Sequence, residues 1–172
     1  MRCAGVGVLI SLLACGSGDS RSSPQQEGPI VTPETLVHQY VERDALGERL
    51  RSAPWFLEVV TWSEEPAYDS YTVIRSYEVQ QPVTINDTLF VPVTYHRLGW
   101  IETTQDSARL IVSDSVEHRQ FAVVPVEDGW RITSPRLDPH VLVDPVLRVA
   151  PLIGNDRDRL SAIRSEHDPS GI

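Results

Sequence analysis

Three side chains near the middle of the chain have the chemistry of an anion-binding site. Arg75 alternates with Val73 and Tyr77, so in an extended strand the three share one face of a sheet. A guanidinium does not lose its proton in a protein, and on an apolar face it therefore requires an anion. The sequence predicts that Arg75 binds a ligand carboxylate or phosphate, with Tyr77 and Tyr95 as hydrogen-bonding walls.

Two structural explanations of Arg75 are alternatives to the binding-site hypothesis. The guanidinium could form an internal ion pair with Glu58 or Glu117, or its row could face solvent at a sheet edge. The substitution Arg75→Leu separates them, because loss of ligand affinity indicates a site, whereas loss of stability alone indicates an ion pair.

Histidines elsewhere in the chain supply no catalytic motif. His118 follows Glu117 directly, but adjacent strand residues point to opposite faces, so the two cannot act on one substrate. His140 follows Asp138, a residue typical of a helix cap, and is expected in a first helical turn. His96 is expected at the surface. We predict no catalytic residue.

Neither of two conceivable metal sites has a suitable pattern. Glu64, Glu65 and Asp69 offer three carboxylates within six positions, but they lack the dense Asp, Asn and Gly pattern of a calcium loop. Histidines from separate strands could meet around zinc, yet no closely spaced pair supports this. We expect a solvated loop, no metal and no cofactor.

Charge and residue usage exclude several classes of function. All 15 basic residues are Arg, so Schiff-base and phosphate-loop lysine chemistry is excluded. The formal net charge of -9 opposes binding to nucleic acid and to anionic lipid surfaces. Both cysteines, Cys3 and Cys15, lie near the start, so the rest of the chain has no disulfide and no thiol nucleophile.

The first 15 residues have the layout of an exported protein. Arg2 precedes an apolar run over 4–14, far shorter than the roughly 20 residues of a membrane span. The segment Leu-Leu-Ala-Cys that ends at Cys15 resembles the bacterial lipobox, whose cysteine receives diacylglycerol. The resemblance implies a signal peptide over 1–14, a lipid anchor on Cys15, and a flexible tether over 15–28. Secretion without lipid, or packing of the apolar start into the fold, are the alternatives.

That resemblance also implies a location. A lipid-anchored chain belongs to the bacterial cell envelope, and Gly16 after the lipidated cysteine favours the periplasmic face of the outer membrane in a cell with two membranes. The expected partners are therefore the membrane, through the lipid on Cys15, and a small apolar or acidic ligand. Another envelope protein or a second copy in a homodimer is also possible, and no nucleic acid is expected.

Residues 29–168 suit one domain, followed by a disordered tail over 169–172. Thr32 and Pro33 open a helix that ends near Gly47. A second helix is predicted over 53–60, with Ser52 as its cap, and a last one over 156–165. The predicted strands cover 70–79, 88–101, 108–112, 116–126 and 130–134, with a turn at Asn86-Asp87 and a break at 113–115.

The fold class that follows is α+β. N-terminal helices are expected to pack on a curved antiparallel sheet. The pairs Asp138-Pro139 and Asp144-Pro145 predict two short C-terminal helices.

The helices, the hairpin-linked strands and the final Asp128-Gly129-Trp130-Arg131-Ile132 hairpin resemble the nuclear transport factor 2-like superfamily. The resemblance covers residues 32–137 and implies a cone-like sheet around a helix, with a pocket inside. Members include SnoaL-like cyclases, ketosteroid isomerases and proteins without catalysis, so the fold does not decide the activity. Residues 62–69, 73–75 and 137–140 also resemble segments of uncharacterised lipoproteins from GC-rich bacteria.

The sequence thus predicts a non-catalytic envelope lipoprotein that binds a small molecule or docks on a protein. A cofactor-free isomerase or dehydratase is the first alternative, and it requires an inward carboxylate with a raised pKa beside a Tyr. A structural factor that dimerises through its open sheet face is the second. It requires an exposed apolar patch of roughly several hundred Å².

Overall fold

In the computed structural model, residues 31–51 and 53–167 are described, and they form an α+β fold with one curled, mostly antiparallel sheet. The strands are β1 (Ser70–Val79), β2 (Val83–Ile85), β3 (Thr88–Thr103), β4 (Ala108–Val126), β5 (Gly129–Ser134) and β6 (His140–Leu142). The helices are α1 (Pro33–Ala45), α2 (Pro54–Val59), α3 (Val143–Val149) and α4 (Asp156–His167), and a 3₁₀ turn covers Glu48–Arg51.

Several predictions concern residues outside this description. They are the signal peptide, the lipidation of Cys15, the tether, the tail over 169–172 and the cap at Ser52. Among the described residues, no helix is both long enough and apolar enough to cross a membrane.

The strands lie in the order β5, β4, β3, β1, β6, and β2 pairs with β3 as well. Among these six strands, the pairings are antiparallel except that of β1 with β6. The turn at Asn86 and Asp87 is confirmed, since both residues have positive φ angles of 46° and 62°, the backbone of a tight hairpin.

The sheet separates two apolar clusters. The inner core lies on the face that α1 and α2 cover, and the outer core on the face that α3 and α4 cover. The inner core contains Leu36, Val37, Tyr40, Val41, Phe56, Ile74, Val91, Val93, Tyr95 and Phe121. The outer core contains Tyr71, Val73, Leu98, Ile101, Leu110, Val141, Val146 and Leu160. We call the two sides of the sheet the inner face and the outer face.

The predicted break at 113–115 is wrong, because β4 continues through it from Ala108 to Val126. A bulge in the β3–β4 ladder accommodates the extra residue, since Gly99 pairs with Val112 while Arg97 pairs with Ser115. Ser and Asp are exposed strand residues here and form no loop. Turn-forming residue types misled the prediction because pairing with β3 outweighs their local preference.

The predicted helix start at Asp138-Pro139 is also wrong. Thr72 donates its backbone N–H to the Pro139 carbonyl at 2.8 Å and its hydroxyl to the Asp138 carboxylate at 2.8 Å. These bonds hold the segment beside β1, so the chain continues as the parallel strand β6. At the second pair α3 does form, but Leu142 is its N-cap and Asp144 lies in its first turn.

Candidate functional site

An apolar cavity of about 340 Å³ opens on the outer face between β1, β3, α3 and α4. We call it the outer cavity. Its apolar lining consists of Leu46, Leu98, Leu142, Val143, Pro145 and Ile163, and its polar lining of Arg75, Arg148, Arg164 and Asp144. An apolar floor with three guanidinium groups suits a ligand that has both an apolar body and an anionic group.

Two of the three arginines in the outer cavity have carboxylate neighbours. Arg75 Nη2 lies 3.0 Å from Asp114 Oδ2, and Arg164 Nε lies 2.9 Å from Asp144 Oδ1. Arg148 is exposed, and within the described ranges no carboxylate pairs with it. Among the described residues, the charge of Arg148 is therefore the one in this cavity that a ligand anion meets without competition from a carboxylate.

The structure does not bring the three predicted site residues together. A bulge between Ile74 and Ser76 interrupts the alternation of β1, so Arg75 lies on the outer face while Tyr77 returns to the inner face. Tyr77 is opposite Tyr95 in the β1–β3 register, and both pack in the inner core. Whether Arg75, Tyr77 or Tyr95 contacts a ligand stays a prediction.

Arg75 does form an ion pair, but the pair lies at the surface and its partner is not one of the predicted residues. Its carboxylate is Asp114, and neither Glu58 nor Glu117 takes this role. The residue types of Ser113-Asp114-Ser115 predict a break between strands, so the sequence gives no sign that Asp114 pairs with Arg75. Only the register of β3 with β4 places it beside Arg75.

A second set of polar residues lies inside the inner core, around Arg49. The side chain of Arg49 is fully buried, and its Cζ lies 4.6 Å from the centre of the Phe56 ring. The Asp44 carboxylate lies 3.4 Å away. The guanidinium donates hydrogen bonds to Glu65 Oε1 at 2.8 Å, Tyr68 Oη at 2.8 Å, Tyr40 Oη at 3.0 Å and the Leu137 carbonyl at 3.0 Å. Arg49 is not among the site residues predicted from the sequence.

Asp44 connects this set to β6. Its Oδ2 accepts the backbone N–H of His140 at 2.9 Å. Burial raises the pKa of Asp44, and the charge of Arg49 opposes that shift. The Tyr95 hydroxyl is buried and finds no hydrogen-bond partner among the described residues, and burial holds its pKa well above the usual range.

His140 is buried between Tyr95 and Glu117. Its ring centre lies 4.3 Å from that of Tyr95, its Nδ1 donates to the Asp138 carbonyl at 2.8 Å, and its Nε2 lies 3.5 Å from Glu117 Oε1. Burial disfavours the charged ring, but the interaction with Glu117 and the charge of Asp44 outweigh it and raise the pKa of His140.

Glu117 lies against one histidine and two arginines. Besides His140, Arg97 Nη1 lies 3.2 Å from Oε2, and Arg119 Nε contacts Oε1. The interaction with His140 at 3.5 Å lowers the pKa of Glu117 to about 2 against the cost of burial, and Arg119 adds to the effect. A carboxylate with so low a pKa is a weak general base at neutral pH.

We expect the interactions of Glu117 with His140, Arg97 and Arg119 to make the free energy of unfolding depend on pH. Because the folded-state pKa of Glu117 lies below the ordinary 4.5, its contribution is present above pH 4.5 and is lost as pH falls toward 2. Urea unfolding measured between pH 6 and about 2.5 should show this decline, and Glu117→Gln should flatten it. The same substitution at the exposed Glu127 is the control and should leave the slope unchanged. An equal slope in wild type and Glu117→Gln would contradict the assignment.

Two depressions adjoin these buried residues. One of about 500 Å³ is lined by Arg49 and Tyr68, and one of about 440 Å³ by Arg97 and Glu117. Asp44, Tyr95 and His140 line neither depression. In the described part of the chain, no group of three or more His, Asp or Glu is arranged to hold a metal ion.

Comparison with known proteins gives no relative from which a role could be transferred. No family model matches this chain, and neither a curated protein nor a solved structure matches it. The function has to be argued from the geometry of the site.

Proposed function

We propose that this chain is a non-catalytic binding protein for an amphipathic organic anion, such as a medium-chain carboxylate, and that the outer cavity is its site. The observation that carries the proposal is the combination of three guanidinium groups with an apolar floor in one cavity of about 340 Å³. A volume of about 300 Å³ is at the lower end of the range for small-molecule sites.

The proposed ligand has a defined orientation. Its carboxylate lies at Arg148, the guanidinium without a carboxylate neighbour among the described residues, within reach of Arg75. Its hydrocarbon chain packs against Leu98, Leu142 and Ile163, and each buried methylene adds about 0.8 kcal/mol. Arg75 remains a proposed contact of the ligand anion, as predicted from the sequence. Its neighbours in the cavity are Leu98 and Leu142, and not Tyr77 and Tyr95.

We propose further that the chain is an envelope lipoprotein anchored through Cys15, with a cone-like domain of the nuclear transport factor 2-like type. The lipobox-like start supports the anchor. The packing of Val37 and Tyr40 of α1 against Val93 and Tyr95 of β3 supports the cone. A membrane-attached binding protein of this kind would hold acidic amphiphiles at the membrane surface.

The isomerase alternative has one observation in its favour. Asp44 is an inward carboxylate with a raised pKa, and its charge acts on Tyr95. Its oxygens, however, face the His140 amide and the Arg49 guanidinium, and it lines neither adjoining depression. We therefore assign Asp44 a structural role and keep the binding proposal.

Dodecanoate titrated into the full chain tests the proposal. Arg148→Ala should weaken its affinity about tenfold, since a hydrogen bond to a charged group is worth about 1.5 kcal/mol or more. The urea unfolding of Arg148→Ala should match that of wild type, because Arg148 forms no ion pair among the described residues. Arg109→Ala, at an exposed arginine outside the cavity, is the control and should bind as wild type does. Equal affinities of Arg148→Ala and wild type, or no binding by wild type, would overturn the proposal.

A further inference from the structure

Strand β4 has a neighbour on both sides over only part of its length. Its ladder with β3 covers residues 108–123, whereas its ladder with β5 covers only 122–126. Toward the start of β4, Asp156 Oδ2 accepts the N–H of Leu110 at 2.8 Å. Within the part of the chain that the structure describes, no strand pairs with the outer edge of β4 over residues 111–121.

A free edge of this length is a template for another strand, because its outward N–H and C=O groups are unpaired. Proteins commonly protect such edges with Pro or with charged side chains, and residues 111–121 contain no Pro. The two carboxylates of this stretch, Asp114 and Glu117, already face arginines of the same chain. Two valines are exposed within residues 111–121, Val112 at 44% and Val116 at 54%. The bulge between Val112 and Ser115 limits the regular stretch at one end.

We propose that a second copy of this chain pairs with the edge, antiparallel, about a two-fold axis at Val116. An axis perpendicular to the sheet keeps the two faces of both copies aligned, so residues of one face meet residues of the same face. In this register Val116 lies opposite Val116 of the second copy. Asp114 lies opposite His118, and Ser115 lies opposite Glu117. The resulting five-residue ladder extends the curled sheet across two copies.

The groups in this ladder are chemically complementary. Asp114 contacts Arg75 through Oδ2, which leaves Oδ1 for a second contact. His118 Nδ1 is bonded to Thr94 Oγ1 at 3.0 Å, which leaves Nε2 for Asp114 of the second copy. The axis repeats this Asp–His pair on both sides of the central valines, so on this face of the sheet one register forms two Asp–His pairs and one apolar pair.

The neighbouring registers are less favourable. Shifting the ladder one way places Glu117 opposite Glu117 of the second copy, and like charges directly opposite destabilise a sheet. Shifting it the other way places the carboxylate of Asp114 opposite the apolar Val116. Such differences in cross-strand pairing select the register centred on Val116.

The small size of the ladder limits the expected affinity between the two copies. Five residues from each copy bury less area than a standard interface of about 1,600 Å², so the dimer should be weak and concentration-dependent. None of residues 114–118 lines the outer cavity, so this dimer does not rest on the proposed ligand.

Sedimentation velocity on the full chain, from micromolar concentrations up to about 1 mM, tests the proposal. Wild type should change from monomer to dimer in this range. Val116→Lys places two ammonium groups across the axis and should raise the dimer Kd at least about tenfold. Val112→Lys changes the other exposed valine, outside the five-residue ladder, and should leave Kd within about twofold of wild type.

A second variant separates the ladder from a general effect of added positive charge. His118→Asp places a new carboxylate opposite Asp114 of the second copy, so it should weaken the dimer as Val116→Lys does. A monomer at every concentration would overturn the proposal. A dimer whose Kd is unchanged in both Val116→Lys and His118→Asp would overturn it too.

Discussion

Arg49→Met should cost about 3–5 kcal/mol of the free energy of unfolding, the usual loss when one member of a buried ion pair is removed. The substitution leaves Asp44 as a buried carboxylate without its guanidinium. It also removes hydrogen bonds that join Tyr40, Glu65 and the Leu137 carbonyl. Urea unfolding measures the effect, and an unfolded variant would be the strongest form of the same result.

Two further variants show that the lost charge is the cause. Arg159→Met removes an arginine whose ion pair with Asp156 is half exposed, and it should cost less than about 1 kcal/mol. Asp44→Asn combined with Arg49→Met removes both charges, and it should be less destabilised than the sum of the two single variants. A cost below about 1 kcal/mol for Arg49→Met would contradict the buried network.

Gly99→Ala should be destabilising by at least about 3 kcal/mol, because overpacking and backbone strain act together. Gly99 has φ of +152°, and an added Cβ would lie 2.0 Å from the Ile111 carbonyl oxygen. That oxygen belongs to the backbone of β4 and cannot rotate away. Far-UV circular dichroism and urea unfolding should show a variant that is unfolded or has a much lower midpoint.

Gly129→Ala is the matched control for Gly99. Its φ of +134° makes an added side chain strained as well, but no atom lies within 4 Å of the added Cβ. The difference between the two variants therefore isolates the clash with β4 from the backbone strain. Equal losses in both would show that the close approach of β3 and β4 at Gly99 is unimportant.

The position of Arg75 shows where prediction from the sequence stopped. The bounds of β1 could be predicted from the alternation of residue types, but a bulge cannot be seen in that pattern. The bulge moves Arg75 and Tyr77 to opposite faces of the sheet, although they are only two residues apart. The bulge arises in the pairing of β1 with β3, and the residues of β1 alone do not specify that pairing.

The buried network left a weak signal in the sequence. Asp44 follows Tyr40 by four residues, so it lies on the apolar face of α1 that Val37 and Val41 also define. A carboxylate in that position requires a cation, and this pattern could have directed attention to Asp44. Nothing local identifies Arg49 as that cation, because its buried partners Glu65, Tyr68 and the Leu137 carbonyl lie 16 to 88 residues away in the chain.

A methyl NMR titration of the full chain with dodecanoate tests the central claim most directly. If the outer cavity binds an amphipathic anion, the methyl groups of Leu98, Leu142 and Ile163 should shift, while those of Val91 and Val93 in the inner core stay in place. Dodecanol, which has no carboxylate, should shift them less at equal concentration. Shifts confined to Val91 and Val93, or no shift at any concentration, would contradict the account.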